Sequence, residues 1–303
     1  MNNDFCQKFI FEDADVRGEL VRLNTSYQEV ISKASYPPPV KKLLGELMCA
    51  SVLLSATLKF DGSLTIHARS NGAIPLLMAE CRSHQLVRAT AHIDEKSLQS
   101  PELANNHDLQ ALLQDGKLAI HIQPKNGKQY QGVIPLEHSS LSACLEDYFT
   151  HSEQSPTKLI FTSEGDYTSG LLIQAQHTSQ HAATHQESGK SQSRWDHLTQ
   201  LIQNAHPSEI LALPIERLLT RTFPSESMRI FDKKAISFDC TCTRERTLSA
   251  LSAMDRSELK SLLEKKSVIV VDCQFCSTRY KFANTDISHL VSEQTHDPSN
   301  RPH

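Results

Sequence analysis

The sequence predicts an α+β protein: an N-terminal α+β domain with mostly antiparallel strands, a helical linker, and a small C-terminal four-Cys zinc domain. Three observations carry this. Short apolar runs punctuated by Asp-Gly and Asn-Gly pairs fill the first half around one long helical pattern. The composition turns polar after Gln176 and then resumes as amphipathic pieces broken by prolines. Near the end stand Cys240-Thr241-Cys242 and, thirty residues later, Cys273-Gln274-Phe275-Cys276. Two close pairs of soft thiolate ligands are the donor set that favours tetrahedral zinc.

Length and composition set bounds. At 303 residues the chain is long enough for more than one domain. A formal charge of -4 excludes a surface that clings to nucleic acid or anionic lipid throughout. No apolar run approaches the roughly 20 residues of a membrane span, and Met1-Asn2-Asn3-Asp4 begins neither a secretory signal nor a transit peptide. A cytoplasmic location is therefore expected. A reducing compartment keeps thiols free, which makes the paired cysteines metal ligands or redox groups rather than permanent staples. The other four, Cys6, Cys49, Cys81 and Cys144, have no partner in ligand spacing and are expected to be inert.

The elements follow in order. Val16, Leu20, Val21 and Leu23 suggest a strand with its charges turned outward. Tyr36-Pro37-Pro38-Pro39 imposes an extended entry, and a broad apolar helix is expected from Val40 to Thr57, with Cys49 packed in it as a small hydrophobe. Leu58-Lys59-Phe60 and Leu64-Thr65-Ile66 flank Asp61-Gly62, a hairpin signal. Strands are expected at Ile74 to Met78 and Leu86 to Ile93 with Cys81 near the turn between them, and a second hairpin joins Lys117 to Gln123 with Gln129 to Ile134 through Lys125-Asn126-Gly127. Asp108 to Leu113 reads as a short helix, Leu141 to Phe149 as a longer one bearing Cys144, and Lys158 to Thr162 and Gly170 to Gln176 as the closing strands. This half contains no Gly-rich phosphate loop, no GxSxG and no HExxH, so no enzymatic activity is expected.

Between Gln176 and Lys190 lies a polar connector whose His177, His181 and His185 would share a face only if it were helical. Beyond it, Trp195, Leu198, Leu201, Ile202 and Ala205 fall at helical spacing. Pro207 breaks that pattern, Ser208 offers a cap for Ile210 to Leu213, and Pro214 opens a third piece with Ile215, Leu218, Leu219 and Phe223. Helices this short are marginal in water and need a surface for their apolar sides.

In the last module Thr243 caps a helix through Leu251, and Asp255 with Glu258 resembles a capping box for a helix through Leu263. Val268 to Val271 and Tyr280-Lys281-Phe282 form a strand pair around the Cys273 to Cys276 knuckle. So small a core needs its metal to stay folded. Two functions are then open: a permanent staple, of which a nucleic-acid-binding zinc ribbon is the obvious version, and a switch worked by losing the metal. From Phe238 to Ala283 there are eight Lys+Arg and six Asp+Glu, a surplus that four thiolates and one Zn²⁺ cancel, which argues against a phosphate-binding face. For the switch, disulfides Cys240–Cys242 and Cys273–Cys276 would delete all four ligands.

The chain resembles the heat shock protein 33 family over nearly its full length. The resemblance rests on Cys240-Thr241-Cys242-Thr243-Arg244-Glu245-Arg246 and Cys273-Gln274-Phe275-Cys276 with Tyr280 downstream. It rests equally on Arg17-Gly18-Glu19-Leu20-Val21, Tyr36-Pro37-Pro38-Pro39-Val40, Leu43-Leu44-Gly45-Glu46-Leu47 and Thr57-Leu58-Lys59-Phe60-Asp61-Gly62. It implies the switch: a reduced form holding one Zn²⁺ per chain on Cys240, Cys242, Cys273 and Cys276 and inactive, and an oxidised form with the two disulfides, no zinc, and a destabilised linker. The apolar surface so uncovered holds unfolding client proteins without ATP, and the oxidised form is a homodimer. The expected division is a client-holding and dimerisation domain at 1–185, the linker at 186–237, the redox-switch domain at 238–290 and a tail at 291–303. The His-containing connector and the tail from Thr295 to His303 depart from the family pattern.

Overall fold

The computed structural model describes residues 4–57, 61–94, 96–97, 108–176, 185–265 and 267–287, the side chains of residues 185–192, 256, 258 and 263–265 excepted. The chain divides into two compact units, Met1–Asp239 and Cys240–His303.

In the first unit, alternation of apolar and polar residues builds a five-stranded antiparallel sheet. Its strands are β1 (Phe5–Phe11), β2 (Val16–Leu23), β8 (Thr157–Glu164), β9 (Tyr167–Ala175) and β10 (Met228–Ala235), in the order β10-β1-β2-β9-β8. A second sheet has the order β11-β5-β4-β3-β6-β7, from β3 (Gly62–Arg69), β4 (Leu76–Arg82), β5 (Leu86–His92), β6 (Lys117–Pro124), β7 (Tyr130–Pro135) and β11 (Ser237–Phe238). It is antiparallel except where β11 joins β5. The fold is thus the expected α+β arrangement with mostly antiparallel strands.

The helix α2 (Pro38–Thr57) is apolar on nearly every side because it packs against strands of both sheets. Val40, Leu44, Leu47, Met48, Val52 and Leu53 are fully buried in this core. The helix starts at Pro38 rather than after the prolines, since a first-turn residue has no intrahelical use for its N–H. A second core lies on the opposite face of the five-stranded sheet. Neighbouring residues divide between the two: Val21 and Leu172 face α2, while Leu20, Leu171 and Ile173 join Phe9, Phe11 and Val16. Gly18 lets β1 and β2 close, because a Cβ there would meet the Phe9 ring at 2.0 Å.

The second core is roofed by α5 (His185–Ile202), α6 (Pro207–Ala212) and α7 (Ile215–Thr222). Leu198, Ile202, Ala205, Ile210, Ile215, Leu218, Leu219 and Phe223 bury against it, so the amphipathic pieces have the surface their length demands. Arg22 of β2 ties the roof down: Nε donates 2.7 Å to the carbonyl of Ile210, and Nη2 donates to that of Leu213. These are last-turn carbonyls of α6, which have no intrahelical donor. Burial draws the Arg22 guanidinium down to about 10. Buried Glu226 accepts from Arg194 and lies 3.5 Å from His197, pinning α5 to the turn before β10.

Several elements differ from the sequence expectation. Residues 58–60, the first arm of the expected Asp61-Gly62 hairpin, lie outside the described residues. Leu64 to Ile66 cannot be the second arm, because both edges of β3 are taken, by β4 and β6. Asp61 instead accepts from the Lys125 amide at 2.7 Å. Cys81 lies within β4, between Leu64 and Val87, and the turn is formed by Ser83 and His84 at positive φ. The cap of α6 is His206, whose ring accepts from the Ser208 amide, rather than Ser208 itself. Strand β1, helix α1 (Thr25–Ile31) and strand β10 had no expectation. Of the three spaced histidines, His177 and His181 lie outside the described residues. The Lys125-Asn126-Gly127 hairpin and the helices α3 (Leu109–Leu112), capped by Asp108, and α4 (Leu141–His151), capped by Ser140, stand where expected. Among the described residues no helix is long and apolar enough to cross a membrane.

Cys6, Cys49, Cys81 and Cys144 are all buried. Burial raises all four thiols, those of Cys49 and Cys81 to about 12. Beside Cys6 at 3.7 Å lies Glu19, 3 % exposed, whose carboxyl burial pushes up to about 7 against the attraction of Lys8, Arg17 and Lys234. An acid raised in the folded state stabilises the fold fully below its unfolded pKa of about 4.3 and loses that contribution as the pH climbs through 7, about 4 kcal/mol in all. Glu19→Gln is accordingly expected to raise the thermal midpoint at pH 8 and leave it little changed at pH 4.5, measured by calorimetry.

Candidate metal centre

The second unit is built around a strand pair, β12 (Val268–Asp272) with β13 (Arg279–Ala283), and two helices, α8 (Arg244–Ser252) and α9 (Arg256–Lys265). Its buried apolar residues are Leu251, Leu259, Ile269, Phe282 and Ile287. The segment joining the strands folds into a knuckle. Cys273 donates its amide to Thr278 O at 2.9 Å, Ser277 donates back to Cys273 O at 2.8 Å, and Ser277 takes φ of 60°. This turn carries Cys273 and Cys276.

The other pair stands immediately before α8. Thr243 caps that helix, its hydroxyl accepting from the Arg246 amide at 3.2 Å. Arg246 Nη1 donates 3.0 Å to Thr241 O between the two cysteines. Arg244 donates to Lys281 O at 2.6 Å and to Asp286 Oδ2 at 2.8 Å, with its guanidinium 4.5 Å from the centre of the Phe282 ring. The first turn of α8 is thereby strapped to β13, which brings one cysteine pair to the other.

The four sulfurs of Cys240, Cys242, Cys273 and Cys276 lie within 4.8 Å of one another. Cys240 Sγ is 3.7 Å from Cys273 Sγ, and Cys242 Sγ is 3.2 Å from Cys276 Sγ. A tetrahedral zinc with bonds of about 2.3 Å sets its sulfurs about 3.8 Å apart, and the observed spread brackets that edge. The donor set therefore fits a tetrahedral, thiophilic cation. Hydrogen-bond partners support the negative charge such a site needs. Tyr280 donates its hydroxyl to Cys242 Sγ at 3.1 Å, and Thr278 Oγ1 stands 3.1 Å from Cys276 Sγ. Desolvation alone would raise the Cys276 thiol, but the Thr278 hydroxyl and amide and the neighbouring thiols bring it down to about 6. Desolvation raises Cys273 despite the amides of Cys276 and Phe275.

All four sequence-selected sulfurs are brought together, and they are the sole such cluster of three or more His, Cys, Asp or Glu among the described residues. Sequence reading missed the second layer. Thr278 and Tyr280 follow the last cysteine at two and four positions, a hydroxyl spacing that a knuckle turn aims back at its own sulfurs. The Arg244 and Arg246 straps were also unforeseen.

A family model described as Hsp33 protein matches residues 4–283. The chain belongs to the Hsp33 family. Among relatives in this chaperone family, the 33 kDa chaperonin of Ectopseudomonas mendocina is 42 % identical over 291 residues, covering 96 % of each chain. That of Azotobacter vinelandii is 42 % identical over 95 % of each. The crystal structure of the Hsp33 homologue from Thermotoga maritima aligns with a TM-score of 0.75 over 95 % of this chain and 97 % of that one at 20 % identity, so the Hsp33 fold is shared.

Tyr280→Phe is expected to weaken metal binding by roughly 10- to 100-fold, and Cys273→Ser more severely, measured by competition with a chromophoric chelator on the reduced protein.

Proposed function

We propose that this chain is a redox-regulated, ATP-independent holdase, inactive when reduced and metal-bound, acting in the cytosol where thiols are kept reduced. The observation that carries the reading is a four-thiol cluster in a module with a small apolar core, five buried apolar residues among those described, in the same chain as proline-broken helices that roof an apolar sheet face. We assign client holding and dimerisation to residues 1–185, the metastable linker to 186–237 and the switch to 238–290.

Cys240, Cys242, Cys273 and Cys276 would hold one zinc ion. When bound, zinc supplies roughly 10 to 16 kcal/mol of folding free energy, more than so small a core provides. A peroxide reverses this. Each pair of thiolates gives two electrons as one S–S bond forms, and one hydrogen peroxide takes them with two protons from solvent as its O–O bond breaks to leave two waters, so two peroxides oxidise the four sulfurs to Cys240–Cys242 and Cys273–Cys276. Cys240, Cys242, Cys273 and Cys276 would then have no thiolate to hold an ion, and the module would lose its main support. The linker follows because its own hold is slight. Two of its helices span only six and eight residues, and half-buried Arg22 meets carbonyl dipoles there rather than a carboxylate. Its release uncovers Phe9, Phe11, Val16, Leu20, Leu171 and Ile173, a surface for unfolding proteins.

The pairing has a sharp test, because sulfur contacts of 3.7 and 3.2 Å run across the pairs, from Cys240 to Cys273 and from Cys242 to Cys276. Crossed disulfides would lock the module shut, whereas the proposed ones open it. After peroxide treatment with mild heat, peptide mapping should find Cys240–Cys242 and Cys273–Cys276, with one zinc released per chain and aggregation of an unfolded protein suppressed. Crossed linkages, or zinc loss without holdase activity, would refute the reading. Salt-dependent nucleic-acid binding by the reduced protein would instead favour a zinc ribbon.

Trp195, the chain's single tryptophan, packs at the linker core and reports its docking. Its emission is expected to shift to the red on oxidation. Arg22→Ala, which removes the donor to the Leu213 carbonyl and one of two donors to that of Ile210, at a cost of about 1 to 3 kcal/mol, should bring that shift at lower temperature in the reduced protein.

A further inference from the structure

The strand β10 is one of the two edge strands of its sheet, and of its eight residues only Met228 and Ile230 are partly buried. Its pairing with β1 slips. Gln7 opposes Lys233 and Phe9 opposes Ile230, so β10 carries one extra residue at mid-strand. The carbonyl of Phe231 within that bulge accepts from the Gln7 side-chain amide at 2.9 Å. Gln7 Oε1 is buried without a partner.

The strand beneath it is of the opposite character. Along β1, Cys6, Gln7, Phe9 and Phe11 are buried. Phe9 and Phe11 belong to the apolar face that α5, α6 and α7 cover, and directly opposite them in β10 are Ile230 and Met228, which pack on the same cluster. The chain that covers the face and the chain that covers the edge are one continuous segment, residues 185–235. Anything that frees this segment lays bare an apolar face together with the hydrogen-bonding edge bordering it.

We propose that the edge of β1 now held by β10 is a strand-addition site for client chains. It takes an extended segment with apolar side chains at alternate positions, which continue across the face of Phe9, Phe11 and Leu20. This deepens the holdase reading and rests on it. The present occupant defines the chemistry: main-chain groups pair with β1, and two alternate side chains, Met228 and Ile230, drop onto the apolar cluster. Main-chain pairing reads no sequence, and alternating apolar residues are common in unfolded polypeptides, so such a site suits a partner defined only by being unfolded. Buried elements of ordinary folded proteins do not offer a free strand, which gives the discrimination a holdase needs.

The test uses the full chain and a peptide of residues 226–236, with a control methylated on alternate backbone nitrogens so that it cannot pair. On oxidation, the β1 amides facing β10 should lose protection from hydrogen exchange, and a protein unfolded in guanidinium chloride and diluted into the mixture should restore it. The peptide should weaken aggregation suppression by about tenfold in apparent affinity, a loss of about 1.4 kcal/mol, and the methylated peptide should have no effect. If β1 stays protected while the oxidised chain holds its client, or if both peptides act alike, the strand-addition site is overturned and the holdase reading stands. An oxidised chain that loses zinc and holds no client overturns both.

Discussion

Four thiols within 4.8 Å of one another are the constraint on which the second unit depends. Sulfur atoms of reduced cysteines have little attraction for each other, and a core of Leu251, Leu259, Ile269, Phe282 and Ile287 is too slight to force them together. What positions them is polar and local: the Thr243 cap, the Arg244 and Arg246 straps, and the reciprocal bonds of the Cys273 knuckle. Such a donor set fits a cation at its centre. Under the proposed function, the stability of the unit is tied to the protonation and oxidation state of these ligands rather than to buried area.

The first unit has a different logic. Its five-stranded sheet is apolar on both faces, and each face needs cover. One is sealed by α2, a helix almost wholly buried and in contact with both sheets. The other is sealed by three helices separated at Pro207 and Pro214, two of them only six and eight residues long, held by apolar side chains, one arginine and a few ion pairs. The two covers differ in kind: one is part of the core, the other lies over it. Under the proposed function this asymmetry is what permits a face to be exposed without loss of the domain that presents it.

How much of this was legible in the sequence depended on whether the deciding interaction was local. The four cysteines, the Thr243 cap, the Asn126-Gly127 hairpin and the long helix expected from Val40 all announce themselves within a few residues, and all form, the helix two residues earlier than expected. The errors arose where distant partners decide. Asp61-Gly62 looks like a hairpin turn until β6 claims the second edge of β3. Met228 to Ala235 alternates poorly because it is an exposed edge, so nothing in its own composition marks it as a strand; pairing with β1, more than two hundred residues earlier, does. Thr278 and Tyr280 were readable as residues but not as sulfur partners, because the turn that aims them exists only once the knuckle has closed.

The depth of the remaining cysteines has a consequence of its own. Oxidants attack thiolate, and a thiol raised to about 12, as at Cys49 and Cys81, is ionised at pH 7 in only about one molecule in 100,000. Cys6 and Cys144 are likewise buried and raised. Half of the chain's eight cysteines are thus chemically silent while the fold persists. Under the proposed function, the reactive thiols are gathered in one place and the thiols of the scaffold are shielded by burial.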